Sequence, residues 1–443
     1  MKKVITYGTY DLLHYGHIRL LKRAKALGDY LIVGVTSDDF DKTRGKINVQ
    51  QSLMERVAAV KATGIADEII VEEYEGQKID DIKRYDVDIF TVGSDWIGKF
   101  DYLNEYCEVV YLSRTDGISS SDIRDKQQSQ RLGLVGSSGF LTKVVAECQF
   151  VNGIHAQAIY AENKDQIKGV LTDLDFYNNY DSFLNDVDAI YVHSLPQNHF
   201  DNIKVALSKG KHVLCVSPIA LGKEQSEELF RIARTNNCIL MDAIKTAYST
   251  AFSRMILLAK SGKIGDPVFV EATCTSLTTN NADYHLGWNS ICDWGPTALL
   301  PVFRIFGTHY NSRRIITKYD RKEKLMDSYS RIDFLYSNGV GCVNVGKGVK
   351  SEGELIISGT KGYIYVPAPW WKTDYFEVRF ENPADNKRYF YQLDGEGIRN
   401  ELVSFLRSIT NGKSFNFIER EISIAISEIM NDFYKGNSVI EIS

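Results

Sequence analysis

The chain starts a nucleotide-binding type of α/β fold twice. The apolar run "VITYG" is followed by the amphipathic stretch "HIRLLKRAKALG", and the alternation continues through "YLIVGVTS", "LMERVAAVKATG", "EIIVEE", "DVDIFTVGSD" and "EVVYLSR". Strand-length runs separated by helix-length segments predict a parallel sheet with right-handed crossovers. At "LGLVGSSGFLTKVVAECQF" the pattern begins afresh and runs through "AQAIYAEN", "AIYVHSLP", "ALSKGKHVLCVSP" and "CILMDAI". Two separate mononucleotide-type folds are therefore expected. A chain of 443 residues has room for both, because single cores stop growing near roughly 250–300 residues.

From about residue 251 the runs become longer and richer in β-formers, as in "DPVFVEATCTSL", "SRIDFLYSNGVGCVNVG" and "GELIISGTKGYIYVPAPWW", before the helix "GIRNELVSFLRSIT". This third part predicts an α+β domain with a largely antiparallel open sheet that leans on the domain before it. The expected domains are 1–127, 131–250 and 251–443, with the polar "KQQSQR" (126–131) as the linker.

A net charge of −5 provides no basic field for nucleic acid. No N-terminal signal peptide and no run of 18 apolar residues is found, so a cytoplasmic protein without a membrane span is expected. The cysteines are scattered without a C-x-x-C pair, which predicts reduced thiols.

Between the first strand and the first helix lies "GTYDLLHYGH" (8–17). Gly8 and Thr9 make a small-residue turn that lets backbone approach a bulky anion, and a helix starting near Gly16 and His17 presents free N–H groups to it. His14 and His17, three apart, can face one pocket and donate to phosphoryl oxygens as a phosphorus becomes five-coordinate. No third ligand stands at a metal-binding spacing. Three more stretches suit phosphates: "RTDGISSSDIR" (114–124), "TRGKIN" with Arg44 and Lys46, and "VGSDWIGKFD" with Gly93 and Asp95 at a strand end.

The stretches "GTYDLLHYGHIRLLKRAKALGDYLIVGV" and "VGSDWIGKFDYLNEYCEVVYLSRTDGIS" closely resemble glycerol-3-phosphate cytidylyltransferases, over residues 1–125. The resemblance implies joining of CTP and glycerol 3-phosphate, with Mg2+, to give CDP-glycerol and pyrophosphate for teichoic-acid-type or capsular polymers. It implies that His14 and His17 stabilise the α-phosphorus transition state and that Arg114, Ser119 and Ser120 bind the CTP phosphates. Gly8, Thr9, Tyr10, Gly16, Gly93 and Asp95 would line the nucleotide site, and Asp11, Arg44, Lys46 and Arg56 would serve the acceptor or phosphates. One departure is Gly64, where the family carries a second arginine, which leaves open which polyol phosphate is the acceptor. Transfer of a nucleotide other than CTP is the alternative for this domain.

"LGLVGSSG" begins like a dinucleotide turn, with Gly136 and Gly139, but Ser138 and Leu141 occupy the second and third glycine positions. Glu162, about 26 residues after Gly136, suits a ribose hydroxyl, with Lys164 close by for a 2′-phosphate. "GKHVLC", "GKIGDPVFVEA" and "ISGTKGYIYV" resemble the glucose-fructose oxidoreductase and inositol dehydrogenase family, over residues 131–443. That resemblance implies NAD or NADP, held by Gly136, Gly139, Glu162 and Pro196, and a sugar or polyol substrate. The family's catalytic lysine triplet reads Val216-Ser217-Pro218 here, and its D-x-x-x-H pair reads Asp293 and Thr297. Lys245, Asp293, Tyr284 and His285 are the groups left for proton transfer.

The expectation is a bifunctional enzyme: a cytidylyltransferase fused to an oxidoreductase that reduces a keto-sugar phosphate to the polyol phosphate used next door. The alternative keeps the second module as a non-catalytic binding or oligomerising fold. Members of both families self-associate, so a homodimer or homotetramer is expected.

Overall fold

The structure is a computed structural model and describes residues 1–11, 13, 15–37, 49, 51–74, 76–113, 129–164, 167, 169–277, 287–320, 326–391 and 393–442. It forms two compact units, Met1–Ser129 and Gln130–Ser443.

The first unit runs β1 (Lys3–Gly8), α1 (Tyr15–Lys25), β2 (Tyr30–Thr36), α2 (Leu53–Ala62), β3 (Glu68–Glu72), α3 (Gln77–Tyr85), β4 (Ile89–Gly93) and β5 (Glu108–Leu112). Its sheet has the order β3-β2-β1-β4-β5, every pair parallel. The inner strands are buried on both faces, which is why β1 and β2 read as continuous apolar runs rather than alternating ones. α2 opens with a capping box in which the Ser52 hydroxyl accepts from Glu55 N–H and the Glu55 carboxylate accepts from Ser52 N–H.

The second unit starts with β6 (Gln130–Val135), α4 (Phe140–Cys148), β7 (Ile154–Tyr160), β8 (Asp175–Tyr177), α5 (Tyr180–Asp186), β9 (Ala189–Val192), α6 (Pro196–Ser208), β10 (His212–Val216), α7 (Lys223–Thr235) and β11 (Leu240–Ala243). These make a parallel sheet of order β11-β10-β9-β6-β7-β8. The chain continues through α8 (Thr250–Lys260), β12 (Pro267–Thr275), α9 (Ser290–Phe306), β13 (Ser312–Tyr319), β14 (Asp327–Leu335), β15 (Val340–Gly346), β16 (Leu355–Gly359), β17 (Tyr363–Val366), β18 (Tyr375–Arg379), β19 (Lys387–Phe390), α10 (Ile398–Asn411), α11 (Arg420–Lys435) and β20 (Val439–Glu441). The third sheet, β19-β18-β17-β16-β12-β15-β14-β13-β20, is antiparallel except for the pairs β12 with β15 and β13 with β20.

The change of pattern at residue 251 is a change of architecture inside one compact unit. One continuous apolar core runs from Leu132 and Leu141 through Trp288 and Val343 to Phe405 and Phe433, beside a smaller one around Val135, Phe183 and Leu229. α10 returns to the parallel sheet, where Arg399 pairs with Glu147 at 2.9 Å and Tyr191 donates to buried Glu401 at 2.9 Å. All seven cysteines are free. Among the described residues no helix is long and apolar enough to cross a membrane.

Candidate functional site

In the first sheet β1 and β4 are neighbours, with Thr6 opposite Thr91, and the chain leaves them toward opposite edges. Such a divergence opens a crevice beyond the strand ends, where open α/β sheets bind ligands. Gly8 and Gly93 are the last residues of those strands. A Cβ on Gly8 would lie 3.0 Å from the Tyr10 ring, so the turn folds tightly over itself. Tyr10 takes a left-handed φ of 52°, and its buried ring meets the His17 imidazole edge-on, with centroids 5.5 Å apart. Gly16 and His17 occupy the first turn of α1, so the positive end of the helix sits at this crevice. Asp95 lies in the 3-10 turn Ser94–Trp96 that follows β4.

Beneath the turn, Arg56 has no solvent exposure. It donates to Thr9 O at 2.7 Å, Thr36 O at 2.8 Å and Gln51 O at 3.1 Å. Asp11, also buried, accepts from Gln51 N–H at 3.0 Å. Both were expected to serve the acceptor or phosphates; in the structure they lie under the turn and tie the ends of β1 and β2 to the start of α2. His14, Arg44, Lys46, Arg114, Ser119, Ser120, Tyr284 and His285 lie outside the described residues.

The second sheet repeats the device. β6 and β9 are neighbours, with Val135 opposite Val192, and a cleft of about 220 Å³ opens beyond them, lined in part by Gly136, Ser138, Glu162, His193 and Trp288. Gly136 has φ of 123°, and a Cβ there would come within 2.2 Å of His193 O, so only glycine leaves this passage open. Gly139, directly before α4, has an ordinary φ of −58° and no close neighbour, while Ser138 Oγ accepts from Phe140 N–H at 3.2 Å. The second small position is thus a serine whose hydroxyl holds the turn into α4. Glu162 and Lys164 are exposed after β7, with Glu162 on the cleft wall; Pro196 is buried at the start of α6, and Leu195 and Asn198 line the cleft.

Where the family places a lysine after β10, Ser217 is buried beside Asp242. Burial pushes the Asp242 carboxyl up to about 6, against the lowering effect of the Ser423 and Ser217 hydroxyls. Asp293, in the first turn of α9, nevertheless has a lysine: Lys347 Nζ lies 2.7 Å from its carboxylate and donates to Trp288 O at 3.0 Å. Lys347 follows β15 directly and its side chain is only 5% exposed, whereas Asp293 is open. An ammonium and a carboxylate in contact, joined through Trp288 to the wall of this cleft, can hold and pass a proton. Sequence reasoning missed Lys347; its one local signal is a lysine directly after an apolar strand run, in "VNVGKGVK".

Lys245 is drawn instead to Glu396, at 2.7 Å, and shares that carboxylate with Lys372 at 2.9 Å and Lys143 at 3.2 Å. Burial alone would raise the Glu396 pKa, but the three lysines bring it down to about 2.

Two strand-end crevices on one chain, one facing a helix start with an imidazole and the other a glycine cradle beside a lysine–aspartate pair, define a nucleotidyltransferase-type unit joined to a dinucleotide-binding oxidoreductase-type unit. Residues 5–126 match the cytidylyltransferase-like family, and residues 130–243 match the oxidoreductase family with an NAD-binding Rossmann fold. The glycerol-3-phosphate cytidylyltransferase of Bacillus spizizenii is 52% identical over 129 residues, covering 29% of this chain and 99% of that protein. That of Staphylococcus aureus is 48% identical over 126 residues, covering 28% and 95%. Through its first unit the chain belongs to the glycerol-3-phosphate cytidylyltransferase family. A 3-ketoreductase from Actinomadura kijaniata, solved with NADP and TDP-benzene, superposes with a TM-score of 0.64 at 16% identity, covering 71% of this chain and 100% of its own, a likeness of fold.

Proposed function

We propose that the first unit joins CTP to glycerol 3-phosphate, or a similar polyol phosphate, to give CDP-glycerol or the matching CDP-polyol and pyrophosphate. A phosphate oxygen of the acceptor attacks the α-phosphorus of CTP, the bond to the β-phosphate breaks, and pyrophosphate leaves with that electron pair. No covalent enzyme intermediate is needed, so the unit's work is positioning and charge stabilisation. Gly8, Thr9, Tyr10, Gly16, Gly93 and Asp95 line the nucleotide. His14 and His17 donate to the α-phosphoryl oxygens, each contributing about 3 kcal/mol of barrier reduction. Arg114, Ser119, Ser120, Arg44 and Lys46 hold phosphates that arrive with Mg2+, while Asp11 and Arg56 position the turn.

The second unit is proposed to be an NAD- or NADP-dependent oxidoreductase that reduces a keto-sugar phosphate to the polyol phosphate consumed by the first. The glycine cradle at Gly136 fits a dinucleotide backbone, and Glu162 fits its ribose. When bound, the nicotinamide supplies the hydride. Lys347 and Asp293 hold the proton for the carbinol oxygen. The product serves teichoic-acid-type or capsular polymers, from a cytoplasmic homodimer or homotetramer.

The observation that carries the reading is the tight turn at Gly8–Tyr10, with the Tyr10 ring edge-on to His17 at the sheet crevice, in a unit that spans 99% of a glycerol-3-phosphate cytidylyltransferase at 52% identity. The test is pyrophosphate release with CTP, ATP, GTP and UTP against a panel of polyol phosphates, alongside fluorescence titration with NADH and NADPH. Release with CTP and binding of one dinucleotide support the reading; release with another nucleotide alone, or no dinucleotide binding, contradicts the corresponding half.

A further inference from the structure

We infer that the three lysines gathered on Glu396 are the binding site for the anionic group of the second unit's substrate, a phosphate monoester, with the Glu396 carboxylate standing in the anion's place. The inference rests on the oxidoreductase reading above and adds the residues that hold the substrate's phosphate.

Three ammonium groups meet at a single carboxylate. Lys143 comes from α4, Lys245 from the 3-10 turn after β11 and Lys372 from the 3-10 turn before β18, and all three ammonium groups reach one carboxylate. Two further carboxyls among the described residues, Glu147 and Glu401, are engaged elsewhere. Glu147 is paired with Arg399, and Glu401 is wholly buried, accepts from the Tyr191 hydroxyl and is pushed up to about 8 by burial, so it is mostly neutral at pH 7. Three cations on one anion leave about two positive charges, which a phosphate monoester dianion matches and a neutral sugar does not.

The cluster also sits where a substrate belongs. Lys245 Nζ is 5.7 Å from the centre of the Phe140 ring, and that ring is 5.1 Å from His193, a wall of the dinucleotide cleft. On the other flank Trp371, next to Lys372, is 4.8 Å from the ring of Trp294, the residue after Asp293. The lysines therefore stand close to one wall of the cofactor cleft, at Phe140 and His193, and Lys372 adjoins the Trp371–Trp294 contact at the start of α9. Glu396 is carried on a short turn and has φ of 53°, between Gly395 at 57° and Gly397 at 91°. A glutamate held in left-handed backbone between two glycines is a side chain that an incoming anion can displace with little cost to the fold.

The test uses the full chain and two probes, inorganic phosphate and dihydroxyacetone phosphate, with dihydroxyacetone as the uncharged control. Equilibrium dialysis compares the wild type, E396Q and the triple variant E396Q/K245Q/K372Q. Removing the competing carboxylate should tighten phosphate binding at least fivefold, a gain that misfolding cannot mimic, and the triple variant should lose that gain. In E396Q both phosphate probes should protect Lys143, Lys245 and Lys372 from acetylation read by mass spectrometry, and dihydroxyacetone should not. Unchanged affinity in E396Q, or lysine labelling indifferent to phosphate, overturns the inference. NADH and NADPH titrations on the same samples separate the two claims. Protection by phosphate without cofactor binding sinks the oxidoreductase reading but keeps the anion site; cofactor binding without protection sinks the anion site alone.

Discussion

Arg56 donates to the carbonyl of Thr9 at 2.7 Å from a position with no solvent exposure, so the turn that follows β1 is held from below by α2. Replacing it by methionine keeps much of the volume and leaves the carbonyls of Thr9, Thr36 and Gln51 without this donor. The expected result for Arg56→Met is a loss of about 3 kcal/mol in the stability of the first unit, read by denaturant unfolding. The surviving folded fraction should release pyrophosphate more slowly at saturating CTP. A variant as stable and as fast as the wild type removes Arg56 from the account.

His17 lies in the first turn of α1, half-buried and edge-on to Tyr10. His17→Ala should reduce kcat on the order of a hundredfold or more, the effect of removing one transition-state donor, with circular dichroism and melting temperature close to wild type. Turnover near the wild-type rate would rule out the proposed role.

At Gly136 the geometry allows no side chain: a Cβ would stand 2.2 Å from His193 O, and φ is 123°. Gly136→Ala should destabilise the second unit by about 1–3 kcal/mol through backbone strain and weaken NADH or NADPH binding at least tenfold. Fluorescence titration and unfolding curves check both effects, and the first unit's pyrophosphate release should be untouched.

Glu401 supplies a pH signature. Burial raises its carboxyl from 4.5 to about 8, so between those values the folded state keeps a proton that the unfolded chain has released. Its contribution is therefore complete below the unfolded pKa and is lost as pH rises through the folded one, with a slope of at most about 1.4 kcal/mol per pH unit. Glu401→Gln should flatten the decline in second-unit stability between pH 5.5 and 8.5. Denaturant midpoints at pH 5.5, 7.0 and 8.5 test this; equal slopes in the two proteins would contradict it.

Much of this was legible in the sequence, because both parallel sheets rest on local patterns. "VITYG" and "YLIVGVTS" read as buried strands since both faces of an inner strand are apolar, and Gly8, Gly93 and Gly136 marked the strand ends where the crevices open. The role of Arg56 was not legible, since an arginine on a helix gives no sign that three carbonyls from separate segments will enclose it. Lys347 reaches Asp293 across the third sheet, and Glu396 collects lysines from α4 and from two distant turns. Those meetings depend on tertiary packing of segments far apart in the chain, which no periodicity encodes. The absent lysine of the triplet at Ser217 is visible in the sequence; that another lysine stands beside Asp293 is visible only in the fold.

The crevice at Gly8 and His17 is proposed to build a CDP-polyol. The most direct measurement is to incubate the full chain with CTP, Mg2+ and glycerol 3-phosphate and follow the products by phosphorus NMR and mass spectrometry. The expected products are CDP-glycerol and pyrophosphate in equal amounts, formed at least a hundredfold more slowly by His17→Ala. Pyrophosphate without a CDP-linked product, or no reaction with CTP while another nucleotide is consumed, would contradict it.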